Sequence, residues 1–209
     1  PGDDLVPFGP EILSRNPELS GQVRFVFPAA PISLIEMGIP GGRAWWMLDV
    51  AELNAAIESG KIRDQRNKTP DGLLEAAQKL REFIDALQKE SELPLSKFVL
   101  AGFSQGSMIS IEIALNLPQP PAALVIWSGT LLCEQRWTSL AEKSEKFPFL
   151  LSHGRQDPLL PFEGAIWLKE MFEQNGFEVD FSEFMGPHTI PDIALVKFGA
   201  LLAELTNSQ

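Results

Sequence analysis

The stretch Val99–Leu115, VLAGFSQGSMISIEIAL, admits two backbone readings, and the choice between them decides the fold. Gly102 to Gly106, GFSQG, is either a sharp strand-to-helix turn with Ser104 at its apex or a loop joining two paired strands. The second reading has a pattern behind it. Ile109, Ile111, Ile113 and Leu115 alternate with Ser110, Glu112, Ala114 and Asn116, the period of a half-buried strand. The same apolar residues, with Met108, also surround a helix that is buried on most sides, and Asn116 and Pro118 would mark its end.

The rest of the chain breaks the tie. Val23–Phe27, Phe98–Ala101, Ala123–Trp127, Phe149–Ser152 and Val179–Phe184 are expected strands, and the middle three are almost continuously apolar. Strands buried on both faces read that way, as in a parallel sheet covered by helices. Between them lies an expected helix over Asp71–Glu90, where Leu73, Leu74, Ala77, Leu80, Ile84 and Leu87 recur at helical spacing. Phe162–Gln174, closed by Asn175-Gly176, and Ile190–Leu205 are further expected helices. Strands alternating with helices imply a layered α/β domain, and a parallel strand must leave by a crossover rather than a tight return. A helix is therefore expected after Gly106.

The glycines then have a mechanical reason for their places. A strand turning abruptly into a helix brings together the backbones two residues before and two after the apex, so Gly102 and Gly106 avoid a Cβ clash. Ser104 is left in strained backbone geometry with its hydroxyl exposed.

A serine hydroxyl is a weak nucleophile until a base takes its proton, and an imidazole does so best when a carboxylate fixes its tautomer. Where a G-x-S-x-G elbow carries the nucleophile on a strand-to-helix turn, the chain order is nucleophile, acid, histidine. Asp157 follows a buried apolar strand in SHGRQDPLLP, which presents it at the strand's C-terminal edge, where ligand sites of open α/β sheets gather. The bland alternative is a simple Asp-Pro turn. His188, in MGPHTIP after the last strand, is the expected base. His153 precedes Asp157 and is read as a strand-end histidine with a structural hydrogen bond. Asp180 and Glu183 sit inside the following strand, and Asp192 falls after His188, so they are weaker acids.

Composition bounds the alternatives. At 209 residues and 44% apolar the chain suits one domain with one sizeable core. The net charge of −11, from 28 acidic and 17 basic residues, argues against a phosphate-backbone ligand, so no nucleic-acid partner is expected. No run of eighteen apolar residues occurs, and PGDDLVPFGP lacks a signal-peptide pattern, so a soluble, cytoplasmic chain without stable membrane insertion is expected. Cys133 is the sole cysteine, which excludes an intrachain disulfide and a cysteine-rich zinc site. The region from Pro28 to Asn67, holding GGRAWWMLD, is a long loop with a short helical candidate at Val50–Glu58, and a loop of that length is commonly functional.

With Ser104, Asp157 and His188 in place, the chain resembles the carboxylesterase and lysophospholipase family of α/β hydrolases that includes the acyl-protein thioesterases. The collinear blocks are VRFVFPAAP, GGRAWWMLD, KFVLAGFSQGSM, LLSHGRQDPLLP and GPHTIP, with GFSQG, HG…DP and G..H the most specific. The resemblance implies an α/β-hydrolase fold spanning 1–209 as a single domain, with a mostly parallel central sheet and helices on both faces. It gives Ser104, Asp157 and His188 the roles of nucleophile, acid and base. It gives the Gln105 backbone N–H an oxyanion-hole role, in keeping with a donor at a helix start facing negative charge. It places Trp45, Trp46 and Ile39, with Met37, along an acyl-binding groove, while core aromatics tying the loop down remain an equal reading for the tryptophans. The substrate implied is a small acyl ester or thioester, cleaved with no cofactor and no metal by a monomer or homodimer. The family begins with a buried strand and a His-Gly loop that supplies a second oxyanion donor. This chain begins at or just beyond that loop, so the first strand is expected to be absent, and neither Gly2 nor Asp3 is assigned the donor's place. Two other readings remain open: a catalytically impaired α/β-hydrolase-fold binding protein, motivated by that missing donor, and a hydrolase of small lactones.

Overall fold

The computed structural model describes residues 3–49, 51, 52, 55, 58 and 62–207. They fall into two compact units, one running to Trp45 and resuming from Pro191, the other Trp46–Ile190.

The larger unit is built on a parallel sheet. Strands β3 (Val99–Phe103), β4 (Ala123–Trp127), β5 (Phe149–Gly154) and β6 (Val179–Phe184) lie in the order β3-β4-β5-β6. All three pairings are parallel, with Phe103 beside Trp127, Trp127 beside Ser152 and Gly154 beside Phe184. That register brings the C-terminal ends of the strands to one sheet edge. All five residues of β4 are buried, which is why ALVIW carries no polar alternation.

The helices of this unit are α2 (Leu73–Ser91), α3 (Gln105–Asn116), α4 (Glu134–Lys143) and α5 (Phe162–Gln174). α3 packs on β3 and β4, α5 on β5 and β6, and α2, α3, α4 and α5 pack on one another in sequence. In α2 the buried side chains are Leu73, Ala76, Ala77 and Ile84. Leu74, expected on that face, is exposed because it lies one residue off the stripe. The opposite face carries Lys79–Glu75 and Arg81–Asp85 pairs at i, i+4 spacing.

The alternating isoleucines of the opening stretch belong to α3. Ile109, Ile111 and Ile113 are each at most 3% exposed, and Ser110 and Glu112 between them, like Ser107 before them, are buried too. A helix enclosed on every side has no solvent face to impose its own period. Glu112 is held by the Trp137 indole N–H at 2.8 Å and by Arg136 Nη2 at 2.6 Å, both from α4. α4 was not expected from the sequence, since only Trp137 and Ala141 of EQRWTSLAEK are buried.

The smaller unit contains α1 (Phe8–Arg15), a hairpin of β1 (Ile32–Ser33) and β2 (Arg43–Ala44), and α6 (Asp192–Asn207). α1 packs on α6, and Arg15 pairs with both Glu11 and Asp192 at 2.6 Å. Val23–Phe27, expected as a strand, forms none. Its side chains do alternate, with Val23, Phe25 and Phe27 half-buried and Arg24 and Val26 exposed, but among the described residues no ladder partner pairs with it. Extended backbone with period-two burial becomes a strand only when a neighbour takes its hydrogen bonds. The loop from Pro28 carries the β1–β2 hairpin and a 3₁₀ turn at Ile35–Met37. The Val50–Glu58 candidate lies largely outside the described residues; Ala51, Glu52, Ala55 and Glu58 within it are helical.

Replacing Glu112 by Ala leaves the buried Trp137 N–H without its acceptor and opens a void, and should cost about 2–4 kcal/mol in urea unfolding. Glu112→Gln retains an acceptor oxygen and should cost clearly less. Equal losses for the two variants would contradict this account of the α3–α4 contact.

Candidate active site

Ser104 stands where β3 gives way to α3. Its backbone adopts φ 55° and ψ −122°, a left-handed geometry that costs a non-glycine residue about 1–3 kcal/mol. The contact beneath it explains why the chain tolerates this. A Cβ on Gly102 would overlap the Gly106 carbonyl and come within 2.6 Å of the Ser107 nitrogen. The turn closes only because position 102 has no side chain. Ser104 N–H donates to the Trp127 carbonyl at 3.0 Å, and the Ser104 carbonyl accepts from Ser107 N–H at 3.0 Å and Ser107 Oγ at 2.5 Å. The Gln105 side chain donates to the Trp46 carbonyl at 2.8 Å, while its backbone N–H belongs to the first turn of α3.

Asp157 follows β5 on a turn. Its side chain is fully buried, and Oδ1 accepts the backbone N–H groups of Leu159 and Leu160, each at 2.9 Å. Oδ2 faces His188 Nδ1 at 2.6 Å and His153 Nε2 at 3.3 Å. Burial pushes the carboxyl pKa up, but hydrogen bonds from His153, His188 and Leu160 N–H, with the charge His188 can carry, outweigh it. The net result is a carboxyl well below the ordinary range.

His188 sits on the loop after β6, 11% exposed at its side chain, with its ring 4.7 Å from that of Phe103, the residue before Ser104. Backbone contacts fix this loop against the acid turn: Arg155 N–H donates to the Phe184 carbonyl at 2.8 Å and Gln156 N–H to the Gly186 carbonyl at 3.0 Å. Gly154 permits the approach, since a Cβ there would lie 2.5 Å from the Pro187 carbonyl oxygen. With Nδ1–H pointed at a carboxylate, the neutral ring carries its lone pair on Nε2, which makes that nitrogen the basic atom.

Ser104, Asp157 and His188 thus all belong to the larger unit and to the C-terminal edge of its sheet, and two of them are directly hydrogen-bonded. His153, read as structural, is fully buried; its Nε2 lies 2.8 Å from the Leu160 carbonyl, which can only accept, so the proton is on Nε2. What the sequence did not reveal is that the same N–H also faces Asp157 Oδ2. The i, i+4 spacing of His153 and Asp157 was the available signal. The weaker acids are elsewhere engaged: Glu183 pairs with Arg155 at 2.6 Å and Asp192 with Arg15. Among the groove candidates, Trp46 is 2% exposed and packs against Gly72, the position of a core anchor in the larger unit. Trp45 is half-buried, and Ile39 and Met37 are 50% and 47% exposed, in the smaller unit. Among the described residues no cluster of three or more His, Cys, Asp or Glu is placed to hold a metal ion, and no helix is long and apolar enough to cross a membrane.

Residues 15–198 match the phospholipase/carboxylesterase family, a grouping of α/β hydrolases, and the chain belongs to it. Its parallel, helix-flanked sheet is an α/β-hydrolase fold, and it is a hydrolase acting on esters. Among its relatives, acyl-protein thioesterase 1 of Mycosarcoma maydis is 28% identical, over 95% of this chain and 84% of that protein. Acyl-protein thioesterase 1 of Neurospora crassa is 26% identical over 82% and 69%. The crystal structure of esterase PE8 superposes with a TM-score of 0.75 at 26% identity, covering 98% of this chain and 86% of that one. Arabidopsis thaliana SOBER1, at 23% identity and a TM-score of 0.74 over 98% and 92%, shares the fold.

The lowered Asp157 pKa has a consequence for stability. A carboxyl whose folded-state pKa lies below its unfolded value of about 3.9 contributes stability that is complete above that value and is lost as pH falls through the folded-state pKa. The unfolding free energy of wild type should therefore exceed that of Asp157→Asn at about pH 5, and the margin should shrink as pH falls below about 4, where the unfolded carboxyl takes up its proton first. A margin that widened as pH fell from about 4 to about 2 would contradict the assigned direction.

Proposed function

We propose that this chain is a serine hydrolase that cleaves carboxylic esters or thioesters through an acyl-enzyme at Ser104. The observation that carries the reading is the 2.6 Å bond from His188 Nδ1 to the buried Asp157 carboxylate, on the sheet edge where the strained Ser104 turn stands. Ser104 Oγ attacks the acyl carbonyl while His188 Nε2 takes its proton and returns it to the leaving alcohol or thiol. Asp157 holds the imidazole in the Nδ1–H tautomer and stabilises the imidazolium. The Gln105 N–H, at the start of a twelve-residue helix, donates to the oxyanion as the tetrahedral intermediate forms. Water, activated by the same His188 nitrogen, then releases the acid. The protein groups and water complete the proton and acyl accounting.

The names of the relatives support acyl thioesters on proteins as the substrate class. The family match runs through both compact units, which supports reading them as one domain.

Steady-state hydrolysis of a short-acyl p-nitrophenyl ester, a long-acyl thioester and a lysophospholipid tests both the reaction and its substrate class. Ser104→Ala should lower kcat by about 10⁴- to 10⁶-fold, and Asp157→Asn, which loses the correct tautomer, by about 10⁴-fold. The long-acyl thioester should show the highest kcat/KM of the three. A folded Ser104→Ala protein with undiminished hydrolysis would overturn the mechanism.

A further inference from the structure

We propose that Ser128 is a positioning residue for His188, acting through a strained corner that touches the nucleophile turn, the strand leading to the acid turn and the base loop at once. The inference rests on the reading of Ser104, Asp157 and His188 given above. Ser128 follows β4, is fully buried, and adopts φ 48°, left-handed for a residue with a side chain. Such strain persists only where surrounding contacts over-determine it. Here they do. The preceding residue, Trp127, takes the Ser104 N–H on its carbonyl at 3.0 Å, and Ser128 N–H donates to the carbonyl of Ser152, on β5, at 2.9 Å. The Ser128 hydroxyl donates to the carbonyl of Thr189, the residue after His188, at 3.2 Å. The next residue, Gly129, lies so near the nucleophile turn that a Cβ would stand 2.5 Å from Ser107 Oγ, the group that donates to the Ser104 carbonyl. The left-handed backbone of Ser128 aims its hydroxyl at the base loop while Gly129 closes on the elbow. The corner thereby sets where His188 stands relative to Ser104.

Ser128→Ala removes the hydroxyl and keeps the strain; Ser128→Gly removes both. Both should lower kcat by about 10- to 100-fold with KM within about twofold, the signature of a misplaced base rather than a lost binding contact. Ser128→Gly should match wild type in urea unfolding, which separates positioning from folding and carries the test if Ser128→Ala does not fold. In proton NMR the His188 Nδ1–H resonance should exchange faster with water in both variants, while that of His153 Nε2–H is unchanged. Wild-type kcat in either folded variant, or unchanged His188 exchange, would overturn the proposal. The NMR arm holds even if wild type hydrolyses none of the esters, an outcome that would instead remove the serine-hydrolase reading.

Discussion

The absence of a side chain at Gly102 lets the Gly106 carbonyl and Ser107 nitrogen of α3 close onto the end of β3, and that one close approach forces Ser104 into its left-handed geometry. Everything else in the site is arranged around an apex the chain would otherwise relax. The turn is fastened by the Ser104 N–H to the Trp127 carbonyl and by two bonds from Ser107 to the Ser104 carbonyl. A strained turn costs about 1–3 kcal/mol, a debt that the buried α3 and the fully buried β4 offset many times over through apolar burial.

The parallel register does the second part of the work. Because β3 to β6 end together, the turns that follow them meet at one edge, and residues separated by 31 positions, Asp157 and His188, share a hydrogen bond. Asp157 shows how a buried carboxylate is kept charged there: four N–H donors, two backbone and two imidazole, converge on its two oxygens. The effect is to leave His188 with a fixed tautomer and its basic nitrogen directed away from the acid.

Much of this was legible in the residues, for reasons specific to each. Strand β4 announces itself because both faces are buried and ALVIW is apolar throughout, and β5 through its apolar first half, FLL. GFSQG is readable because steric clearance demands glycine at a fixed offset from the apex, and the order Ser104, Asp157, His188 follows from the order of the strands. Val23–Phe27 misled because side-chain alternation reports burial, while a strand also needs a ladder partner that composition does not specify. α1 and α4 escaped notice because FGPEILSR and EQRWTSLAEK each bury only two residues. Ser128 was silent for a different reason: a left-handed serine looks like any other, and its contacts reach residues 24 and 61 positions away in the chain. The tryptophan pair divides in the structure, Trp46 going to the core of the larger unit and Trp45 staying half-buried in the smaller one.

The central claim is that Ser104 is a nucleophile activated by His188. A fluorophosphonate probe reacts with an activated serine and spares an ordinary one, so labelling of the folded protein followed by peptide mass mapping tests the claim directly. The account predicts a single phosphonate adduct on Ser104, absent from Ser104→Ala and reduced to a trace in His188→Ala. A folded wild-type protein that takes no label, or takes it on another serine, would contradict it.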